Sequence, residues 1–128
     1  MSKKLSDTLT GGIYQYYRTD NSEVVYRGST EHIEDKWGVP LQKVDDWHRK
    51  GETFKGKFRY SWTVFRTALR TPFGEKLEIG WVVQPKEMTR EELLDLEGSC
   101  IREKKAEGEC YLNHDPDPLK TWKKYNEK

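Results

Sequence analysis

Alternation of apolar and polar positions sets in at Gly12. From there to Arg18, the side chains of Ile13, Gln15 and Tyr17 interleave with those of Tyr14, Tyr16 and Arg18, the period of two that marks a strand. The turn formers Thr19-Asp20-Asn21-Ser22 follow, and Val24-Val25-Tyr26 opens a second strand that ends near Gly28. So short a connection predicts an antiparallel hairpin. Ser29 or Thr30 then serves as the N-cap of a helix reaching about Trp37, broken by Gly38 and Pro40. A second helical piece covers about Leu41 to Arg49. In KFRYSWTVFRTALR, Phe58, Trp62, Phe65 and Leu69 fall on one helical face, while Arg59, Arg66 and Arg70 share another. Thr71-Pro72-Phe73-Gly74 stops that helix. LEIGWVVQP reads as a third strand ended by Pro85. Thr89 and Glu92 then form a capping box for a helix from Arg90 to about Ala106, with Gly108 as its stop.

This order predicts an α+β fold, a small three-stranded antiparallel sheet flanked by helices. Residues 1–10 read as a flexible N-terminal tail. Residues 11–128 read as one domain with a C-terminal tail from about 115, containing Asp115-Pro116-Asp117-Pro118 and a basic-aromatic segment with Lys120, Trp122, Lys123, Lys124 and Tyr125. The 128 residues match one domain. With 34% hydrophobic against 35% charged residues, the core is small and leans on aromatic bulk. A net charge of +1 assigns any electrostatic binding to a local arrangement. No apolar run reaches the roughly 18 residues of a membrane helix, and no signal peptide is read. With just two cysteines, Cys100 and Cys110, the expectation is a reduced, cytoplasmic setting with buried free thiols. Cys110 and His114 lack further ligands nearby for a structural zinc site.

One polar residue breaks the pattern. In the last long helix Leu93, Leu94, Cys100 and Ile101 surround Glu97 on the apolar stripe. A carboxylate there is costly unless it is paired, hydrogen-bonded or bound to a metal. The pattern admits an ion pair with an Arg or Lys, a place at the rim of the core, a bend at Gly98 that swings Glu97 outward, or a metal ligand.

Gly12-Ile13-Tyr14 on the first strand, Tyr26-Arg27-Gly28 on the second, an inward Glu97 and a later Asn113 together resemble the GIY-YIG nuclease family. Eleven residues separate the two tyrosines, and the resemblance spans about Gly11 to His114. It implies a domain that cuts DNA phosphodiester bonds with one divalent cation, Mg²⁺ or Mn²⁺. It further implies that Glu97 holds the cation, and that Tyr14 takes a proton from the attacking water or positions that water. Tyr26 would orient water and phosphate, and Asn113 would support the metal-ligand shell or the end of the last helix. The family usually places an arginine eight residues after the second tripeptide, where this chain has Lys36. Lysine keeps the charge but loses the planar two-pronged grip on phosphate, and Arg27, Arg49 and Arg59 are the candidates to replace it. His48 sits near a histidine found in many members and would orient water or contact phosphate, with a surface histidine as the plain alternative. The stripe Arg59, Arg66 and Arg70 is either a solvated helix face or, in a nuclease, a phosphate-contacting one. Tyr16 and Tyr17 read as packing or surface residues. The alternatives to a nuclease are a catalytically weak or inactive nucleic-acid-binding module on the same scaffold, and a protein-interaction domain using Trp37, Trp47 and Trp122. Targeting would come from the domain itself, a homodimer, a protein partner or DNA structure.

Overall fold

The computed structural model of the chain describes residues 8–30, 40–50 and 77–126, with the side chains of residues 49 and 50 also left aside. Along the chain run β1 (Thr8–Arg18), β2 (Val24–Thr30), α1 (Leu41–Lys50), β3 (Leu77–Thr89), α2 (Arg90–Lys105) and α3 (Pro118–Asn126). The strands form one antiparallel sheet in the order β2-β1-β3. The expected α+β fold with a three-stranded antiparallel sheet is therefore the one observed. The expected helices at 31–37 and within 57–70 lie outside the described residues. Among the described residues, no helix is long and apolar enough to cross a membrane.

Several boundaries differ from those expected, each for a physical reason. β1 starts at Thr8, because Thr8, Leu9 and Thr10 pair with Thr89, Met88 and Glu87 of β3. The expected tail of residues 1–10 thus gives way to strand at Thr8. Ser29 and Thr30 extend β2, where they pair with Ile13 and Gly12; the helix they were expected to cap lies outside the described residues. Pro85 does not end β3. The register steps from Gly11↔Lys86 to Ile13↔Val83, so Gly12 faces two residues of β3 in a bulge. A bulge on an edge strand tolerates a residue that has no N–H to donate. α3 replaces the expected C-terminal tail. Asp117 accepts from the Lys120 N–H at 3.4 Å, and Pro118 takes the first helical position, where its missing N–H costs no hydrogen bond.

Two apolar clusters sandwich the sheet. On one face Leu9, Ile13 and Met88 meet Leu93 and Cys100 of α2. On the other, Tyr14 and Tyr16 meet Val25 and Val44, with Trp47, Trp81, Ile79 and Leu112 packed around them. Trp47, one of the aromatics read as a candidate partner contact, is half-buried against this cluster. The capping box of α2 forms as expected, with Thr89 Oγ accepting from the Glu92 N–H and Glu92 accepting from the Thr89 N–H. α2 continues through Gly98 to Lys105. Gly98 is there because α3 packs on it: a Cβ would lie 3.2 Å from Pro118 Cδ and 2.8 Å from Arg102 Nη1.

Candidate active site

Period two on β1 sends Tyr14 and Tyr16 to the same face of the sheet, and α1 crosses that face. One face of α1 carries Val44, Trp47 and His48, which its 3.6-residue turn brings together. Val44 and Trp47 anchor it in the core, and His48 reaches the tyrosines. The Tyr14 hydroxyl lies 2.7 Å from His48 Nε2. His48 Nδ1 lies 3.1 Å from the Tyr16 hydroxyl, which donates to Asp45 Oδ1 at 2.9 Å. Tyr26, beside Tyr16 across the β1–β2 ladder, brings its ring to 6.4 Å from that of Tyr14 and 6.3 Å from the imidazole. Tyr14, Tyr26 and His48 thus come together in one cluster. Tyr16 does not merely pack, and Asp45 was not anticipated at all.

Gly28 is what lets Tyr14 take this position. A Cβ on Gly28 would sit 2.6 Å from the Tyr14 hydroxyl oxygen and 2.8 Å from the ring carbon that bears it. The glycine of the second tripeptide is therefore the floor beneath the hydroxyl of the first. At the next position of β2, Ser29 Oγ donates to Glu97 Oε1 at 2.6 Å. Glu97 is half-buried, turned toward the sheet and not swung outward at Gly98. This serine bond, which the sequence reading did not foresee, satisfies one carboxylate oxygen in a place where an unsatisfied one is expensive. Gly28, under the Tyr14 hydroxyl, and Ser29, bonded to Glu97, are successive residues of edge strand β2 that face opposite sides of the sheet, and the Glu97 charge is near enough to act on the Tyr14 phenol.

Electrostatics sort these groups. Burial above all, then the neighbouring Tyr26 and Tyr16 phenols and the Glu97 carboxylate, push the Tyr14 phenol well above its ordinary 10.0. Burial pulls His48 down from 6.5 to about 4, against the opposing pull of Asp45. At neutral pH the pair is a phenol beside a neutral imidazole.

Asn113 and Arg27 take other places than a reactive one. The Asn113 amide accepts from the Arg27 N–H at 2.9 Å and donates to the Arg27 carbonyl at 2.7 Å, as one more rung of the ladder would. With Cys110 N–H on Val24 O and Leu112 N–H on Val25 O, it fastens the segment after α2 along the outer edge of β2. Asn113 thus holds the strand that carries Tyr26, Gly28 and Ser29. Arg27, expected to contact nucleic acid or to replace the missing arginine, is only 7% exposed. Its guanidinium points to the face opposite Tyr26, donating to the Cys100 carbonyl at 2.8 Å and to Gln15 Oε1 at 2.9 Å. It pins α2 to the sheet and does not reach out to a phosphate. Lys36, Arg59, Arg66 and Arg70 lie outside the described residues, as does the side chain of Arg49. Cys100 and Cys110 are free and buried, and burial raises both thiols, Cys110 to about 11, far from a reactive thiolate.

The described residues hold no cluster of three or more metal-binding side chains. The donor that the site offers is one carboxylate, Glu97. That set fits Mg²⁺ or Mn²⁺, which retain water and bind through one or two carboxylates plus phosphate oxygens. It does not fit a structural zinc, which takes four protein ligands.

Fold and site together define a small α+β domain with a buried tyrosine–histidine cluster next to a carboxylate at the edge of its sheet. No family model, curated protein or solved structure matches the chain.

Proposed function

We propose that this chain is a divalent-metal-dependent DNA endonuclease of the GIY-YIG type. The observation that carries the reading is the meeting of distant residues at one corner of β2. Tyr14 and Tyr26, one from each tripeptide, share a cluster with His48, and Glu97 is held at the adjoining Ser29. Two tyrosines placed merely for packing need neither an imidazole at hydrogen-bond distance nor a carboxylate drawn onto an apolar helix stripe.

Each residue then has a task. Glu97 holds Mg²⁺ or Mn²⁺. Bound there, the cation neutralises charge at the scissile phosphate. Tyr14 holds the attacking water in line and takes its proton. Because a free phenolate is disfavoured at this position, Tyr14 accepts that proton as its own moves to His48. Tyr26 orients water and phosphate. Asn113 keeps the β2 corner in place, and Lys36 and the arginines of the 57–70 segment supply phosphate contacts that make binding salt-dependent. Hydrolysis leaves 5′-phosphate and 3′-hydroxyl ends.

Purified protein incubated with plasmid and with single-stranded DNA is expected to cleave in Mg²⁺ or Mn²⁺ and not in chelator. Glu97→Ala is expected to abolish the metal-stimulated cleavage. Identical products from wild type and Glu97→Ala would sink the assignment. One observation favours a second reading, a DNA-binding module without cleavage: Arg27 is withdrawn from the site, so it does not stand in for the arginine that Lys36 replaces. DNA retention in a gel shift without metal-stimulated cleavage selects that reading.

A further inference from the structure

We infer that Asp45 and Tyr16 are positioning residues that fix the tautomer of His48, so that its Nε2 is the bare nitrogen aimed at Tyr14. This deepens the nuclease reading and rests on it for its role in catalysis, but the hydrogen-bond assignment stands on geometry alone.

A phenol has one proton to give. The Tyr16 hydroxyl gives it to Asp45 Oδ1 at 2.9 Å, so toward His48 Nδ1, 3.1 Å away, its oxygen is the acceptor. Nδ1 must then carry a hydrogen. In a neutral imidazole that leaves Nε2 with a lone pair, and the Tyr14 hydroxyl at 2.7 Å donates to it. The opposite tautomer has Tyr16 donating to Nδ1, which leaves the Tyr16 oxygen and an Asp45 oxygen facing each other as two acceptors at 2.9 Å. It also makes Nε2–H donate to Tyr14, so that no proton can leave Tyr14 by this route.

The chain of bonds supplies a balanced step. As water attacks, its proton forms a bond to Tyr14 Oη while the Tyr14 O–H bond breaks and its proton passes to Nε2. The electron pair of the water O–H bond stays on the attacking oxygen, which bonds to phosphorus as the P–O3′ bond breaks; the leaving 3′ oxygen keeps that bond's electron pair and takes a proton from solvent water. The imidazolium that results keeps Nδ1–H on Tyr16, whose own proton still faces the Asp45 carboxylate. Asp45 gains no proton. Its negative charge favours the imidazolium through Tyr16, the same logic by which an acid orients a histidine base in hydrolases. The arrangement is legible on α1 afterwards: Asp45 precedes His48 by three residues and shares its helix face.

The test reads the tautomer directly. In uniformly ¹⁵N-labelled protein at pH 7, long-range ¹H–¹⁵N correlations of His48, assigned by their loss in His48→Gln, are expected to show Nδ1 protonated and Nε2 unprotonated. Asp45→Leu removes the acceptor of the Tyr16 hydroxyl, which turns the phenol proton toward Nδ1. The spectrum is expected to change to the Nε2–H form, with kcat for DNA cleavage falling about 100-fold and KM within about twofold. Tyr16→Phe, which preserves the ring packing, is the second variant and is expected to yield a mixture of tautomers. Asp45→Glu is expected to restore the wild-type tautomer. An Nε2–H tautomer in the wild type overturns the inference, as does an unchanged tautomer and kcat in Asp45→Leu. Because the spectrum needs no cleavage, a wild type that cuts no DNA brings down the nuclease reading while the spectrum still decides the tautomer.

Discussion

The two faces of the sheet are built from the same strands and do opposite things. On one, Leu9, Ile13 and Met88 close against Leu93 and Cys100 of α2; the polar groups there are the Glu97 carboxylate, bonded to Ser29, and Arg27, the one buried cation among the described residues, which spends its hydrogen bonds on a carbonyl and an amide. On the other, Tyr14, Tyr16 and His48 are nearly as buried but carry a continuous line of hydrogen bonds that reaches Asp45. Burial alone therefore does not distinguish them. The first face derives its stability from transfer of apolar surface, about 2 kcal/mol or more for each fully buried aliphatic side chain. The second holds polar groups whose partners are fixed, and buried polar groups with fixed partners are what a reaction needs.

Substitutions should separate the faces. The largest effect expected is from Tyr14→Phe, which keeps the ring and removes the hydroxyl. Cleavage should fall about 1,000-fold, far beyond what the about 1–3 kcal/mol of stability lost with the bond to His48, read by urea melts, would cause. A variant that cleaves normally would erase the distinction between the faces. Next, Leu93→Ala on the apolar face should cost about 3 kcal/mol of stability. At temperatures where it remains folded its kcat should match the wild type, as steady-state rates alongside urea melts will show.

The third effect depends on pH. An unfolded histidine takes up its proton near 6.5, whereas His48 in the fold waits until about 4. Between those values the unfolded chain binds more protons, so stability falls as pH drops from 6.5 toward 4 and this contribution levels off below. The full difference is about 3 kcal/mol. His48→Gln should flatten that part of the curve. Equal pH slopes for wild type and His48→Gln in urea unfolding between pH 6.5 and 4.5 would show that burial of the imidazole does not set the slope.

What the sequence made legible was local. The hairpin, β3 and the capping box of α2 each depend on neighbours a few residues apart, and each was found. The run of β3 past Pro85 was missed because it depends on a bulge made by Gly12, far away in the chain. Helix α3 was missed although Asp117-Pro118 signals its start. Within the site, Glu97 announced itself by breaking an apolar stripe. Ser29 and Asp45 did not, because a serine in a strand and an aspartate on a helix are ordinary until their partners from other elements are known. The direction of Arg27 was readable: period two places it opposite Tyr26, so it cannot share a pocket with that tyrosine on a flat strand.

The Asn113 clamp joins residues 86 positions apart in the chain. The β1–β2 hairpin needs only a four-residue turn and can form within microseconds. The clamp must wait until β3 and α2 have been gathered in, across a long and entropically costly closure. Tyr14 and Tyr26 therefore meet early, while the segment that braces them arrives late. Contacts that form after the barrier govern how fast a native state comes apart, not how fast it is made. Asn113→Ala should accordingly raise the unfolding rate in stopped-flow measurements and leave refolding nearly unchanged, and a slowed refolding limb would place the clamp in the folding nucleus instead. The residue that looks like a site accessory is on this account a latch on the lifetime of the folded protein.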